Sequence, residues 1–548
     1  MNYFKSMDMD LTYRGILKWG DKREAEVEPL MKKLIKEKFG LTDSDFGVKH
    51  LPGTETVKLD RPPMLKPAQL DFLSSIVGSE NFQTDDFTRA KFSYGKFYDE
   101  LLDLRLNRVP NPPDAVVAPR SHDDVARIVA YCSEEKIPVI PVGGQSSVTG
   151  ALRAPEGGIA LDLTKHLNRI VRLNTVNKTV TVQAGMFGPA FEEELNRNGY
   201  TCGHFPQSFE YSTVGGWIAA KGAGQASTGY GKIEDMVVAL KVVTPAGVIE
   251  TKEFPRTAQG WDIFRLFIGS EGTLGVITEA TLHMHIYRPE NTASASFIFR
   301  SFEQAVEAMR RMIQSEYGRP HLFRISDPDE TDIAFRTSGF DNSIADRFLK
   351  MLGFIPGKRS MMFIAVEGEK DYTAFVLKKI KHTAGKSKGM FIGSSPVKKW
   401  LAQRYSSAYM RDPLMDIGIM ADTLETAVTW ENLLRVWSAA HAYVSTRPKA
   451  FIMIHISHVY ENGANLYFTF LTPMEKGKEK SDFTAFHRGL VDTILENGGS
   501  ISHHHGVGRV LAPWMEGHLG KTSMAALGAV KKHFDPNNIM NPGGTLGL

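Results

Sequence analysis

Three glycine-dense segments constrain this chain more than any other feature. The first runs Pro141-Val142-Gly143-Gly144-Gln145-Ser146-Ser147 and on to Gly150, at the end of an apolar run that reads as a strand. Successive glycines let backbone N–H groups turn inward to form a concave anion site, and serine hydroxyls add donors. That suits a pyrophosphate, although an ordinary tight turn has a similar composition. The second segment is Ser212-Thr213-Val214-Gly215-Gly216-Trp217, followed by Gly222, Gly224, Gly229 and Gly231. Glycine at this density lets a flat cofactor lie against backbone. The third, Gly269-Ser270-Glu271-Gly272-Thr273-Leu274-Gly275-Val276-Ile277-Thr278, is again glycine-rich and ends in a strand. No G-x-G-x-x-G follows a strand and no Walker A loop occurs, which disfavours Rossmann and P-loop folds.

The rest of the composition removes several function classes. Lys+Arg total 65 against 62 Asp+Glu, a net charge of +3, which argues against nucleic-acid binding through bulk charge. Two cysteines, Cys132 and Cys202, exclude a disulfide scaffold and any all-cysteine metal or iron–sulfur site. Residues 1–10 lack the basic start and apolar run of a secretory signal. No stretch of about 18 apolar residues suggests a transmembrane helix. The final Thr-Leu-Gly-Leu is not a peroxisomal address. The expectation is a cytoplasmic protein, with contact to the inner face of the membrane left open.

Patterning divides the 548 residues into four parts. Residues 1–108 read as a helical N-terminal region, with Val27, Leu30, Met31 and Leu34 on one face of a helix over 22–38. Prolines 110, 112 and 113 mark a boundary. Residues 109–287 alternate short strands, a helix capped by Ser121, and hairpins over 170–184 and 237–251. Residues 288–497 read as an α+β unit, with strands over 293–299, 361–366, 450–456 and 466–471. Its helices start at Ser301, with Gln304 placed for a capping box, and run over 483–495. Residues 498–548 form a C-terminal segment. The basic runs Lys378–Lys381 and Lys476–Lys480 read as solvated faces, an anionic membrane surface being the rival.

Taken in order, the three glycine segments resemble the vanillyl-alcohol oxidase flavoprotein superfamily, as does Phe534-Asp535-Pro536-Asn537-Asn538-Ile539-Met540-Asn541-Pro542-Gly543. The resemblance implies a two-part FAD-binding domain, with an inserted α+β cap and a C-terminal segment that returns to the flavin domain. Five further segments narrow it: Leu17-Lys18-Trp19-Gly20, Gly203-His204-Phe205-Pro206, Gly231–Val237, Lys241–Pro245 and Ser502-His503-His504-His505-Gly506-Val507-Gly508. These resemble the alkyldihydroxyacetonephosphate synthase family. That family exchanges the acyl chain of acyl-dihydroxyacetone phosphate for a long-chain fatty alcohol, without net redox, through a flavin N5 adduct. The resemblance therefore implies noncovalent FAD, those two substrates and a homodimer. The missing targeting segment suggests a bacterial relative.

A phosphate-bearing substrate needs cations, and the planar arginine fork suits it. Arg324 and Arg411 fall on the family's active-site arginines; alone, either would read as a surface ion-pair residue. Tyr467 falls on its catalytic tyrosine, implied to take a proton from the substrate carbon, which requires cations to lower its pKa from about 10. From sequence alone it equally reads as a packed strand residue. His503, His504 and His505 are implied in phosphate contact and proton handling, with His503 and His505 on one side of an extended segment and His504 on the other. Metal binding is the rival there, disfavoured because no carboxylate or cysteine sits beside them at ligand spacing; no metal is expected. His204 is implied beside the flavin ring without a bond to it. The implied cofactor residues are Pro141, Val142, Gly143, Gly144, Gln145, Ser146, Ser147, Ser212, Thr213, Gly215, Gly216, Glu271, Gly272 and Ile277. Gln145 stands where the family has glycine, and its amide is expected to face phosphate; Arg509 replaces a lysine and keeps the charge. Two rival readings stay open: an FAD-dependent 2-hydroxy-acid dehydrogenase of D-lactate or glycolate type, and a flavoprotein scaffold without turnover.

Overall fold

The apolar run after the prolines forms the strand Ala115–Val117, which pairs in parallel with Ile159–Asp162; Val139–Val142 lies on the far side of the latter. Helix His122–Glu135 packs beside them, capped as expected by the Ser121 hydroxyl accepting from the Asp124 N–H. The two expected hairpins, Ile170–Asn174/Thr179–Gln183 and Val237–Thr244/Gly247–Glu250, flank strand Val276–His283 in one five-stranded antiparallel sheet. A single apolar core fills the space between these two sheets. The computed structural model describes residues 10–20, 25–545 and 547. Residues 1–9, read above for a leader, and the expected helix start over 22–24 lie outside the described residues. That helix is observed as Pro29–Phe39.

From Ala293 to Pro473 the chain builds a second, all-antiparallel sheet of eight strands, with helices Phe302–Ile313, Trp430–Ser445 and Glu479–Glu496 supplying much of the core beside it. The Ser301 hydroxyl accepts from the Gln304 N–H at 3.3 Å, but Gln304 Oε1 is buried without a partner, so only half of the expected capping box forms. Strand Ile419–Thr429, which the sequence patterning missed, closes one edge against Gly463–Pro473.

Both ends of the chain tie these parts together. At the C-terminus, Val139 N–H donates to Ile539 O and Asn541 N–H to Val139 O, so a single parallel bridge at Met540 ties the tail to the edge of the parallel sheet. Lys531 Nζ anchors it, donating to Thr273 O, Met540 O and the Asp535 carboxylate. Near the N-terminus, Arg14 and Arg105 converge on Asp416 of the cap, and Tyr13, Leu17, Tyr98 and Leu101 share the cap's core. Phe82–Gln83 meanwhile pairs with Ala115–Val117, so residues before 108 pack on both units. Among the described residues, no helix is long and apolar enough to cross a membrane.

Candidate active site

The cavity between the two units has a volume of about 1520 Å³. All fourteen residues proposed from the glycine segments line it, together with His204, Arg324, Arg411, Tyr467, His504 and His505; His503 does not. The glycines set its floor by close approach. A Cβ on Gly144 would lie 2.2 Å from Tyr211 O, and one on Gly215 would lie 2.6 Å from Ala184 Cβ. Thr213 caps the short helix Val214–Ala219, and Ser212 Oγ accepts from Trp217 Nε1 at 2.7 Å. Gln145 has φ +58°, the left-handed backbone that makes glycine the ordinary choice. Contrary to expectation, its amide does not face the anion site, because Nε2 is held by Lys91 O at 2.6 Å. The Glu271 carboxylate turns to the C-terminal segment, accepting from Val507 and Gly508 N–H and from the Thr149 and Thr545 hydroxyls. It therefore joins the third glycine loop to the histidine segment.

The polar wall comes from one row of the cap sheet, in which Ser326, His455, Tyr467 and Glu425 are successive cross-strand partners. Side chains at paired positions share a sheet face. Glu425 is buried and accepts from Ser502 Oγ and from the N–H groups of His503, His504 and His505, at 2.5 to 3.2 Å. Burial acts to raise its pKa, but the neighbouring His504, His505 and His503 rings outweigh that and hold it well below the usual carboxylate range. Three N–H groups converging on one carboxylate curl the segment. His504 and His505 therefore face the cavity, while His503 turns to Tyr460 Oη at 2.7 Å, which corrects the extended alternation expected above. Lys232 Nζ holds the His503 carbonyl at 2.8 Å.

Tyr467 stacks on His455, with ring centroids 4.7 Å apart. Its phenol is not acidified as expected. Burial, with Asp422 and Glu425 nearby, pushes its pKa up to about 12, overriding Thr423 and Arg324. Arg324 donates to Glu330 at 2.8 Å, and Glu330 also bonds His455 Nδ1 at 3.1 Å. Arg411 is different. Nη1 donates to Lys96 O at 2.6 Å and Trp19 covers the guanidinium, yet among the described residues Nε and Nη2 are buried without a hydrogen bond, Nε lying 3.7 Å from Asp412 Oδ1.

Two family models match the chain: "FAD binding domain" over residues 113–252 and "FAD linked oxidases, C-terminal domain" over 288–545. Alkyldihydroxyacetonephosphate synthase of Dictyostelium discoideum is 32% identical over 535 residues, covering 94% of this chain and 87% of that one. This chain belongs to the alkyldihydroxyacetonephosphate synthase family. A solved structure of alkyldihydroxyacetonephosphate synthase superposes with TM-score 0.82 at 28% identity, covering 96% of this chain and 99% of that one. Substrate-bound p-cresol methylhydroxylase has TM-score 0.67 at 14% identity, covering 89% and 98%, a likeness of fold alone. The fold is the two-part FAD-binding domain with an inserted α+β cap, and the chain is an FAD-dependent enzyme.

Its residues fit that cofactor. His204 is fully buried beside the glycine loops, packed on Trp217 at 4.8 Å, and among the described residues neither ring nitrogen has a hydrogen-bond partner. Burial, aided by Lys232 and His504, lowers its pKa to about 3, so it presents a neutral imidazole to whatever occupies the floor. Ring nitrogens of His458, His503 and His504 converge within 4.8 Å, as in a metal site. Those of His458 are spent on Gly224 O at 2.9 Å and Ser457 Oγ at 3.0 Å, and those of His503 on Tyr460 and His504. Glu425, His455, Glu330 and His458 escaped the sequence reading. Gly144→Ala should force the first loop off Tyr211, an overpacking cost of about 1–3 kcal/mol. FAD binding is expected to weaken by about tenfold or more, measured by titrating flavin into apoprotein and following its fluorescence.

Proposed function

We propose that this enzyme replaces the acyl chain of acyl-dihydroxyacetone phosphate with a long-chain fatty alcohol, using FAD held without a covalent bond. The observation that carries this reading is the lining of one large cavity. The FAD loops, the Tyr467–His504–His505 wall and Arg411 share it with the apolar side chains Ile333, Phe335, Phe340, Leu349, Phe363 and Trp400. A 2-hydroxy-acid dehydrogenase, with a small polar substrate, has no use for that apolar lining, and a scaffold has none for the polar wall.

In this reading the bond from the ketone-bearing fragment to the acyl oxygen breaks, a bond to the alcohol oxygen forms, and the alcohol's proton must be taken up. The three glycine loops would hold FAD, which would supply an electron-deficient ring system for the exchange. Arg411 binds the phosphate through Nη2 and Nε, which hold no hydrogen bond among the described residues, Nε lying 3.7 Å from Asp412 Oδ1. Tyr467, protonated at neutral pH, donates a hydrogen bond to substrate oxygen. His505, whose pKa burial lowers to about 4, with like-charged His504 adding to the shift and Glu425 opposing it, is neutral and takes the alcohol proton. The test is anaerobic incubation of FAD-loaded enzyme with palmitoyl-dihydroxyacetone phosphate and hexadecanol, with products identified by mass spectrometry. Ether product together with released palmitate is expected. Flavin bleaching by 2-hydroxy acids, with no ether product, would replace the reading.

Both chains reside in bilayers, and the surface offers a way in. Helix Ile344–Met351 presents Ile344, Phe348 and Met351 to solvent, with Ile355 beyond; Ile344 and Met351 are 87% and 78% exposed. The i, i+4, i+7 spacing makes one apolar stripe. Ile344 also lines the cavity, and exposed Arg347 and Lys358 flank the stripe. The stripe docks on an anionic membrane, apolar side chains inserted and cations at the headgroups. Phe348→Asp with Met351→Asp should cut sedimentation with phosphatidylglycerol–phosphatidylcholine vesicles by about tenfold or more, from the loss of about 1.5–3 kcal/mol per buried side chain. Undiminished sedimentation would remove this face from the membrane.

A further inference from the structure

Asp422 has no part in the reaction described above, yet it lines the same cavity. It sits on the edge strand three residues before Glu425 and is only 6% exposed. Among the described residues, Oδ2 has no hydrogen-bond partner. Arg411 is its principal charged neighbour, and the Nε and Nη2 of that arginine are likewise buried and unbonded. Tyr98 Oη, fully buried and unpartnered, lies in the same field. Arg411 forms no ion pair with Asp422 among the described residues; its Nε lies 3.7 Å from Asp412 Oδ1 instead. Both residues line the cavity, and each keeps a buried polar atom that no described protein group hydrogen-bonds.

We propose that Asp422 binds the substrate phosphate as a neutral acid, donating its own proton to a phosphate oxygen while Arg411 supplies the charge. This rests on the reading that phosphate binds at Arg411. An ionised carboxylate in that place would repel a dianion and leave its own buried charge unpaired. A protonated carboxyl adds a donor without adding charge. Burial favours the neutral form, raising the pKa of Asp422 to about 7 against the opposing pull of the Thr423 N–H and Arg411. The other titratable groups around it are Asp412 beside Arg411, Lys96 and Tyr98 from the N-terminal region, and Tyr467 and Glu425 from the cap sheet. Lys96 is itself lowered to about 8, chiefly by burial.

Initial rates with FAD-loaded enzyme test this, varying palmitoyl-dihydroxyacetone phosphate at saturating hexadecanol from pH 6 to 9. Wild-type KM should climb by about tenfold per pH unit above the Asp422 pKa, because only the protonated form binds. The rise between pH 7 and 9 is then about fifty-fold. Asp422→Asn keeps a neutral donor and should hold KM nearly constant over that range. A flat wild-type profile, or an Asp422→Asn profile as steep as wild type, overturns the proposal. Arg411→Ala separates the two levels of the reading. Its KM should rise about thirtyfold or more, from the lost charged hydrogen bonds; an unchanged KM would remove the phosphate from this end of the cavity altogether. Should Asp422→Asn lose FAD, Asp422→Ser serves by the same criteria, its hydroxyl being a donor that does not titrate.

Discussion

Glu425→Gln should reduce alkyl transfer by at least about a hundredfold while FAD stays bound. The expectation follows from how many groups one carboxylate holds. Ser502 Oγ and three consecutive N–H groups donate to it, and His504 Nδ1 lies 3.4 Å from its Oε2. A glutamine has one acceptor oxygen, and its amide N–H₂ would face donors. Breaking a buried charged network of this kind costs about 3–5 kcal/mol, and an imidazole displaced by an ångström loses about two orders of magnitude in rate. The glycine loops do not touch Glu425, so bound-flavin absorbance should match wild type. The carboxyl also carries a pH signature. Its folded pKa is depressed, so the stability it contributes is present above the ordinary glutamate value of about 4.3 and is lost as pH falls toward the folded one. The variant should therefore melt at lower temperature than wild type at pH 7, with the gap closing in acid. Wild-type turnover in Glu425→Gln would show that the histidine segment holds its shape without the carboxylate.

How legible this site was in the sequence depends on the kind of signal each residue leaves. The cofactor loops were readable because glycine at 144 and 215 reports close backbone approach, which no other residue type permits. The histidines and Tyr467 were readable only through resemblance; nothing in their spacing separates a site from a core. Glu425 and Asp422 lie on a strand that the patterning missed. Ile419–Thr429 carries Asp422, Glu425 and Thr426 at buried positions and Thr423 at a half-buried one, so polar residues broke the alternation that marks a half-buried strand. The site was legible where its chemistry needs an unusual backbone and hidden where it needs buried charge. Two errors have the same root. Gln145 was given to phosphate and Tyr467 to an acidified phenol because a sequence shows which charges are near in composition, not which are near in space. Lys91 O claims the first, and burial, aided by the Asp422 and Glu425 carboxylates, acts on the second.

Tyr467→Phe should leave the fold, the flavin and substrate KM close to wild type and lower kcat by about 10²–10⁴-fold, the range for removing a positioned proton donor. Only one oxygen is lost. The ring keeps its stack on His455, at 4.7 Å and 14° between planes, so the wall retains its shape. The pH dependence of kcat then distinguishes donor from base. A phenol acting as an ionised base would make kcat climb about tenfold per unit all the way toward its pKa. With that pKa near 12 the phenol stays protonated through the neutral range, and His505, near 4, stays neutral. Wild-type kcat should therefore be flat from pH 6 to 9, while KM carries the slope assigned to Asp422. A flat kcat with a rising KM puts the neutral-range titration in phosphate binding and leaves the chemistry to groups whose protonation does not change. A kcat that climbs with pH in wild type and not in Tyr467→Phe would return the phenol to the role of base, and would require bound substrate and cofactor to pull its pKa down against the burial that raises it.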